Sequence, residues 1–210
     1  MKVKQINSKE TYDFILNKHY AQRKPSISWA FGLFEQDQLV GILTIGKPAS
    51  HSLCIGICGK EYEKYVYELN RLCVNEGLPK NTLSWFVSQV LKKLKNEKLI
   101  LVSYADEGMG HHGYIYQATN WIYTGKTKQR TDKYTPPGKH SRHYSNDFNH
   151  LRKVRTAKHR YVYFTNKKFK PELNYTILPY PKGDNRRYKF GDRQGQLIFD
   201  KNKGVYYNEY

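Results

Sequence analysis

The chain has 210 residues, 39% of them hydrophobic and 15% aromatic, including 19 tyrosines. That length holds one domain with a full hydrophobic core and excludes a multidomain machine. Lys and Arg number 36 against 18 Asp and Glu, a formal charge of +18, so a strong positive field favours polyanionic partners.

From the N-terminus, residues 1–4 (MKVK) open on charge instead of the apolar run of an export signal. No later apolar stretch approaches the roughly 20 residues of a membrane span, so no membrane partner is expected. Asn7 and Glu10 have capping-box spacing, and Tyr12, Ile15, Leu16 and His19 then fall on one face of a predicted helix. Residues 28–35 (SWAFGLFE), the polar 36–38 (QDQ) and the apolar 39–45 predict a hairpin. Cys54 and Cys58, alternating with Ile55 and Ile57, read as strand or turn residues. With Cys73 they make an odd number of cysteines at non-zinc spacing, which fits a reducing cytoplasm and predicts neither a disulfide scaffold nor a structural metal.

Residues 65–74 (YVYELNRLCV) predict a third long strand, and 82–95 a helix that buries Leu83, Phe86, Val87, Val90, Leu91 and Leu94. A buried strand follows over 99–105 (LILVSYA), then a polar loop over 106–113, a short helix to about Thr119 and a strand over 121–124. Beyond Gly125 the pattern loosens into loops, with short aromatic strands at 161–165, 197–200 and 204–207.

Charge divides the chain in two. Residues 1–125 carry 15 basic and 11 acidic side chains, net +4; residues 126–210 carry 21 and 7, net +14. The basic part also holds 10 of the 19 tyrosines, interleaved with cations at 160–164 (RYVYF) and 186–190 (RRYKF), a mixture suited to phosphates and stacked bases. A solvated basic tail is the plainer alternative. The expected organisation is a core over 1–125 with a basic extension, 126–210, packed on it.

A strand, a loop (75–81) and a helix N-terminus in succession offer free backbone N–H groups, with Lys80 and Arg71, to an anion; a plain helix cap is the alternative. The order strand, hairpin, strand, anion loop, helix, strand, helix resembles the GNAT-type acyltransferases. That resemblance implies a mixed α/β sheet flanked by helices and an acyl-coenzyme A pyrophosphate at this loop. The usual glycine-rich signature is absent, and Asn81 and Ser84 stand in its place.

A second constellation spans 103–121 (SYADEGMGHHGYIYQATNW), where a carboxylate at a strand end, a Gly-rich turn, two histidines and a row of Tyr, Gln and Asn adjoin a buried strand. The run ELNRL (68–72), NxxSWF (81–86) and this segment together resemble the Mom-type DNA modification proteins of bacteriophages, over roughly residues 10–165. The resemblance implies an enzyme that converts adenine in phage DNA to its carbamoylmethyl form, protecting it from host restriction, in the cytoplasm of a bacterial host. It implies catalytic positions at His19, Tyr20, Asp106 and Tyr116, and donor-binding positions at Arg71 and Ser84, which Lys80 and Asn81 join from the anion loop.

The residues supply chemistry for these roles. His19 is available as a base or proton shuttle, Asp106 as an acceptor from an amino group, and Tyr116 as a stacking or hydrogen-bonding partner of a base. Their plainer alternatives are a satisfied helix-end histidine, a helix cap and a core tyrosine. His111 and His112, and His140 with His143, have no nearby carboxylate or cysteine to complete a metal site, so DNA contact or structure is expected of them.

Double-stranded DNA is the expected partner, through Arg142, His143, Arg152, Lys153, Arg155, Arg160, Arg186, Arg187 and Lys189. The target adenine must leave the stack to react. The donor is acetyl-coenzyme A or an activated glycyl group such as glycyl-transfer RNA, which would make a tRNA a second partner. Two rivals remain: a protein or small-molecule N-acetyltransferase, and a non-catalytic basic DNA-binding protein.

Overall fold

The structure is a computed structural model that describes residues 1–136, 144–183 and 196–209. The capping box forms: Asn7 Oδ1 accepts from Lys9 N, and Glu10 Oε1 from Asn7 N. It starts a 3-10 turn, Ser8–Thr11, that runs into a π-helical turn, Phe14–Lys18, in place of a regular helix. His19 N bonds Phe14 O at 2.8 Å, five residues back. The wide turn changes the buried face from the predicted 12, 15, 16 and 19 to Phe14, Ile15 and His19, and leaves Leu16 exposed.

Strand β1 (Lys2–Gln5) precedes these turns. It has one half-buried apolar residue, Val3, too little alternation to read in advance. Strands β2 (Trp29–Glu35) and β3 (Gln38–Gly46) form the predicted hairpin, with Gln36 and Asp37 both at left-handed φ, 46° and 60°, the twist a two-residue turn needs. Helix α1 (His51–Cys58) corrects the strand or turn reading of Cys54 and Cys58. Ser50 caps it through Leu53 N, and Cys54, Ile57 and Cys58 share its buried face at helical spacing.

Strand β4 (Val66–Val74), helix α2 (Thr82–Lys93), strand β5 (Ile100–Asp106), helix α3 (Tyr114–Ala118) and strand β6 (Ile122–Lys126) follow. Then come β7 (Arg130–Lys133), β8 (Leu151–Arg155), β9 (Lys158–Phe164), β10 (Gln196–Asp200) and β11 (Val205–Glu209). The first sheet has the order β1-β2-β3-β4-β5-β9-β6, and its β4–β5 pair is parallel while the others are antiparallel. Helix α2 packs Phe86, Val87, Val90 and Leu91 against Leu33, Leu43, Ile45 and Leu101 on one face. Helix α1 packs against Val66, Ile100, Val102 and Val162 on the other. This is the mixed α/β sheet flanked by helices that the resemblance implies.

The boundary expected at residue 125 does not divide the sheets. β9 lies between β5 and β6 and contributes Tyr161 and Val162 to the core, because its apolar alternation fits a sheet interior irrespective of the charge around it. The second sheet, β11-β10-β8-β7, holds a smaller core of Tyr134, Leu151 and Ile198 with Phe148. Among the described residues no helix is long and apolar enough to cross a membrane.

Candidate active site

The parallel ladder between β4 and β5 stops at the pair Glu68 and Val102, although β4 continues to Val74 and β5 to Asp106. At the end of the ladder a side chain bridges the strands: Ser103 Oγ donates to Leu69 O at 2.8 Å and sits 2.7 Å from the Tyr116 hydroxyl. The diverging strands form walls of a cleft of about 1790 Å³, whose other walls come from residues 19–23, the loop 75–81, the start of α2, His111 and the end of the second sheet.

A bulge aims the β4 wall. Arg71 pairs with Thr44 and Leu69 with Ile45, so Asn70 is the extra residue. In an unbroken strand Glu68 and Arg71, three apart, point to opposite faces; the bulge brings both to the cleft. Asn70 holds the distortion by accepting from Thr44 Oγ1 at 2.6 Å and donating to Ser26 O at 2.8 Å.

Arg71 donates to Asn70 O and Arg23 O, while its buried Nε has no partner among the described residues. The Glu68 carboxyl is pushed above its ordinary range by burial, against the pull of Arg71, Lys158 and Arg23. Its charge also reaches Tyr20, Tyr104 and Tyr116. Sequence reasoning assigned Glu68 no role; the available signal was an acid inside a predicted strand.

His19 and Tyr20 stack with ring centroids 4.3 Å apart, and His111 meets the Tyr20 ring edge-on at 6.2 Å. Burial, with the positive charges of Arg71 and His111, lowers the His19 pKa to about 3. Its Nδ1 accepts from Ala21 N at 3.1 Å. The ring is thus held neutral with Nδ1 engaged, where the sequence offered it as a base or proton shuttle. Burial chiefly, and then Asp106, raises the Tyr20 hydroxyl to about 12.

Asp106 is 1% exposed and does not line the cleft. It accepts from Lys158 Nζ at 2.5 Å, Thr156 Oγ1 at 2.6 Å and Gly108 N at 2.9 Å. Burial alone would raise its carboxyl, yet Lys158 and these bonds hold it below the usual range. A substrate amino group therefore meets Lys158, which does line the cleft, before it meets Asp106. Tyr116 also lines the cleft, packed against Trp121 and Tyr161 at 5.1 and 5.2 Å; burial pushes its hydroxyl well above the ordinary value.

Lys80, Asn81 and Ser84 line the cleft at the start of α2. Asn81 takes a left-handed φ of 68° and makes no side-chain cap, and Ser84 Oγ donates to Asn81 O. Among the described residues the Leu83 and Ser84 amides have no backbone acceptor, since Thr82 N turns to Pro79 O and Trp85 N to Asn81 O. Two free amides beside Lys80 suit a phosphate oxygen of a donor.

Of the basic residues expected at DNA, Lys153 and Arg155 line the cleft, the latter paired to Asp132 at 3.1 Å, and Arg152 lies elsewhere on the second sheet. Arg160 is corrected. It donates to Thr124 Oγ1 and Thr124 O and lies 3.4 Å over the Tyr175 ring, so its guanidinium is engaged within the fold. Arg142, His143, Arg186, Arg187 and Lys189 lie outside the described residues, as does His140. His112 stacks loosely on His159 at 5.5 Å, and among the described residues no group of three or more His, Cys, Asp or Glu gathers as a metal site.

The model of the Mom protein family matches residues 1–182 of this chain. The methylcarbamoylase Mom of Escherichia phage Mu is 26% identical over 190 residues, covering 80% of this chain and 78% of the phage protein. Among solved structures, a putative acetyltransferase from Salmonella typhimurium with its cofactor acetyl-CoA aligns at TM-score 0.49 with 8% identity, covering 82% of this chain and 98% of that one. An N-acetyltransferase from Staphylococcus aureus Mu50 aligns at TM-score 0.48 with 13% identity, covering 78% and 98%.

Proposed function

The chain belongs to the Mom protein family, and from that premise we propose that it transfers an activated acyl group to the 6-amino nitrogen of adenine in phage DNA. The end product is a carbamoylmethyl base that host restriction does not cut. The observation that carries this reading is the bulge at Asn70, which puts a carboxyl of raised pKa and a guanidinium on one wall of the cleft. The cleft, at about 1790 Å³, exceeds the roughly 300–1,000 Å³ of a site for one small ligand and has room for an extruded nucleotide beside a donor.

Each step can be assigned to a group of the cleft. As the amino nitrogen attacks the acyl carbon, a C–N bond forms, the bond to the leaving group breaks, and Glu68 takes the nitrogen's proton. The positive charge of the Arg71 guanidinium, on the cleft wall, stabilises the carbonyl oxygen as negative charge develops there. Tyr20, still protonated with a pKa near 12, gives a proton to the departing group, and the proton on Glu68 returns to Tyr20 through solvent. The Leu83 and Ser84 amides and Lys80 hold a donor phosphate, which acetyl-coenzyme A and a glycyl-tRNA both carry.

The carbamoylmethyl product favours the glycyl donor. Glycyl transfer leaves the adenine nitrogen in an amide with a free amine beyond it. Attack of that amine on the purine carbon closes a five-membered spiro ring, and expulsion of the amide nitrogen yields the carbamoylmethylamino group with no atom gained or lost. Mass spectrometry of nucleosides from DNA of bacteria expressing the chain is expected to find carbamoylmethyl-adenine; unmodified adenine throughout overturns the function. With the adenine amino nitrogen isotopically labelled, the glycyl route carries the label into the terminal carboxamide, whereas label kept on the ring excludes it.

A further inference from the structure

The second sheet has one face closed over Leu151, Ile198, Tyr134 and Phe148. Its other face is ordered by strand register. Lys133 pairs with Arg152, Arg152 with Phe199, and Phe199 with Tyr206, so these four lie in one row across all four strands on the same face. Two cations are followed by two rings. The rings lie 4.7 Å apart and tilted by 35°, and Tyr206 is 62% exposed. Lys133 Nζ extends the row at its far end, 3.6 Å from the ring of Tyr144, which is also exposed.

Tyr206 takes no part in the small apolar core, so the fold does not require its ring. Two residues along the strands, Val154, Leu197 and Asn208 line the cleft of the proposed active site. At about 3.3–3.4 Å per residue the row is about 7 Å from that end of the sheet, of the order of one extended nucleotide step.

We propose that this row is a platform for unpaired nucleotides of the DNA strand that delivers its base to the cleft: bases stack on Tyr206 and Phe199, and phosphates meet Arg152 and Lys133. Charge complementarity selects this occupant. A second copy would bring another net charge of +18 against the row, and an apolar protein surface would strip water from two cations without pairing them. Base stacking on aromatic side chains beside cations is the general physics of single-strand binding. The assignment of the strand rests on the function proposed above, but the binding does not.

The test titrates the full chain against fluorescent single-stranded oligodeoxynucleotides, the same backbone without bases, and RNA of the same sequence. The base-bearing DNA is expected to bind more tightly than the abasic backbone. Tyr206→Ala should weaken it at least about fivefold while leaving abasic binding unchanged, and Tyr206→Phe should bind like wild type. Wild-type DNA affinity in Tyr206→Ala, equal affinity for the abasic backbone, or tighter binding of the RNA overturns the proposal. A wild-type chain that makes no modified nucleoside but shows the Tyr206 pattern refutes the reaction and supports the platform.

Discussion

Glu68 and His19 both lie near Arg71, and burial acts on them with opposite consequences. For the carboxyl it favours the protonated form and raises the pKa; for the imidazole it favours the deprotonated form and lowers it to about 3. Glu68 must be ionised to accept a proton, so modification should fall as pH drops through its raised pKa. Glu68→Gln should lower the rate about 10²-fold or more and abolish that acid limb. Initial rates across pH decide it.

His19 makes a prediction about stability. Between pH about 6.5 and about 3 the unfolded chain protonates this ring and the folded chain does not. The stability that depends on its neutral form is therefore complete above pH 6.5 and declines toward pH 3. His19→Gln should flatten part of the acid-side loss in a series of melting temperatures, and parallel curves for the two proteins would refute this.

At the scale of elements, the site is made where regular structure is interrupted. The bulge in β4, the end of the β4–β5 ladder and the π turn before His19 each aim a side chain that an ideal strand or helix would aim elsewhere. The expected elements over 28–45, 65–74, 82–95 and 99–105 were legible because strong apolar periodicity is a local property. Helix α1 was missed because Cys54, Ile55, Gly56, Ile57 and Cys58 fit either period over so short a run. The interruptions were not legible, since a bulge is defined by the partner strand.

Lys158 belongs to this scale, since β9 brings it to the end of β5 to pair with Asp106. Lys158→Met leaves a buried carboxylate uncompensated and should cost about 3–5 kcal/mol in urea denaturation at neutral pH. The deficit should shrink as Asp106 is protonated in acid, and a constant deficit would argue that Lys158 acts through packing alone.

At the scale of the molecule, the described strands of the basic half, residues 126–210, are divided between two sheets. Lys153 and Arg130 reach the cleft from the second sheet. Replacing either with Ala should weaken duplex binding to a similar extent for all sequences and reduce the slope of log affinity against log salt by about 1 for each phosphate left unneutralised. An unchanged slope would remove them from the interface. Point substitutions are the suitable probe, because deleting 166–210 would also remove β10, β11, the Leu178 N bond to Tyr123 O and the Tyr180 bond to Trp121 O.

The sequence by itself determined the mixed α/β architecture, the excess of positive charge and the segments from which the cleft is built, because periodicity, composition and motif order are carried by neighbouring residues. Residues 68–72, 81–84 and part of 103–116 line one cleft. Tertiary structure alone decided what each member of those segments faces. It placed Asp106 behind Lys158, 52 residues away, and engaged Arg160 with Thr124. It also turned Glu68 and Arg71 to one wall, lined Lys133, Arg152, Phe199 and Tyr206 in a row, and set the protonation of His19 through burial. Each of these outcomes depends on strand register, burial or charge brought from distant parts of the chain, and a linear pattern of residue types contains none of the three.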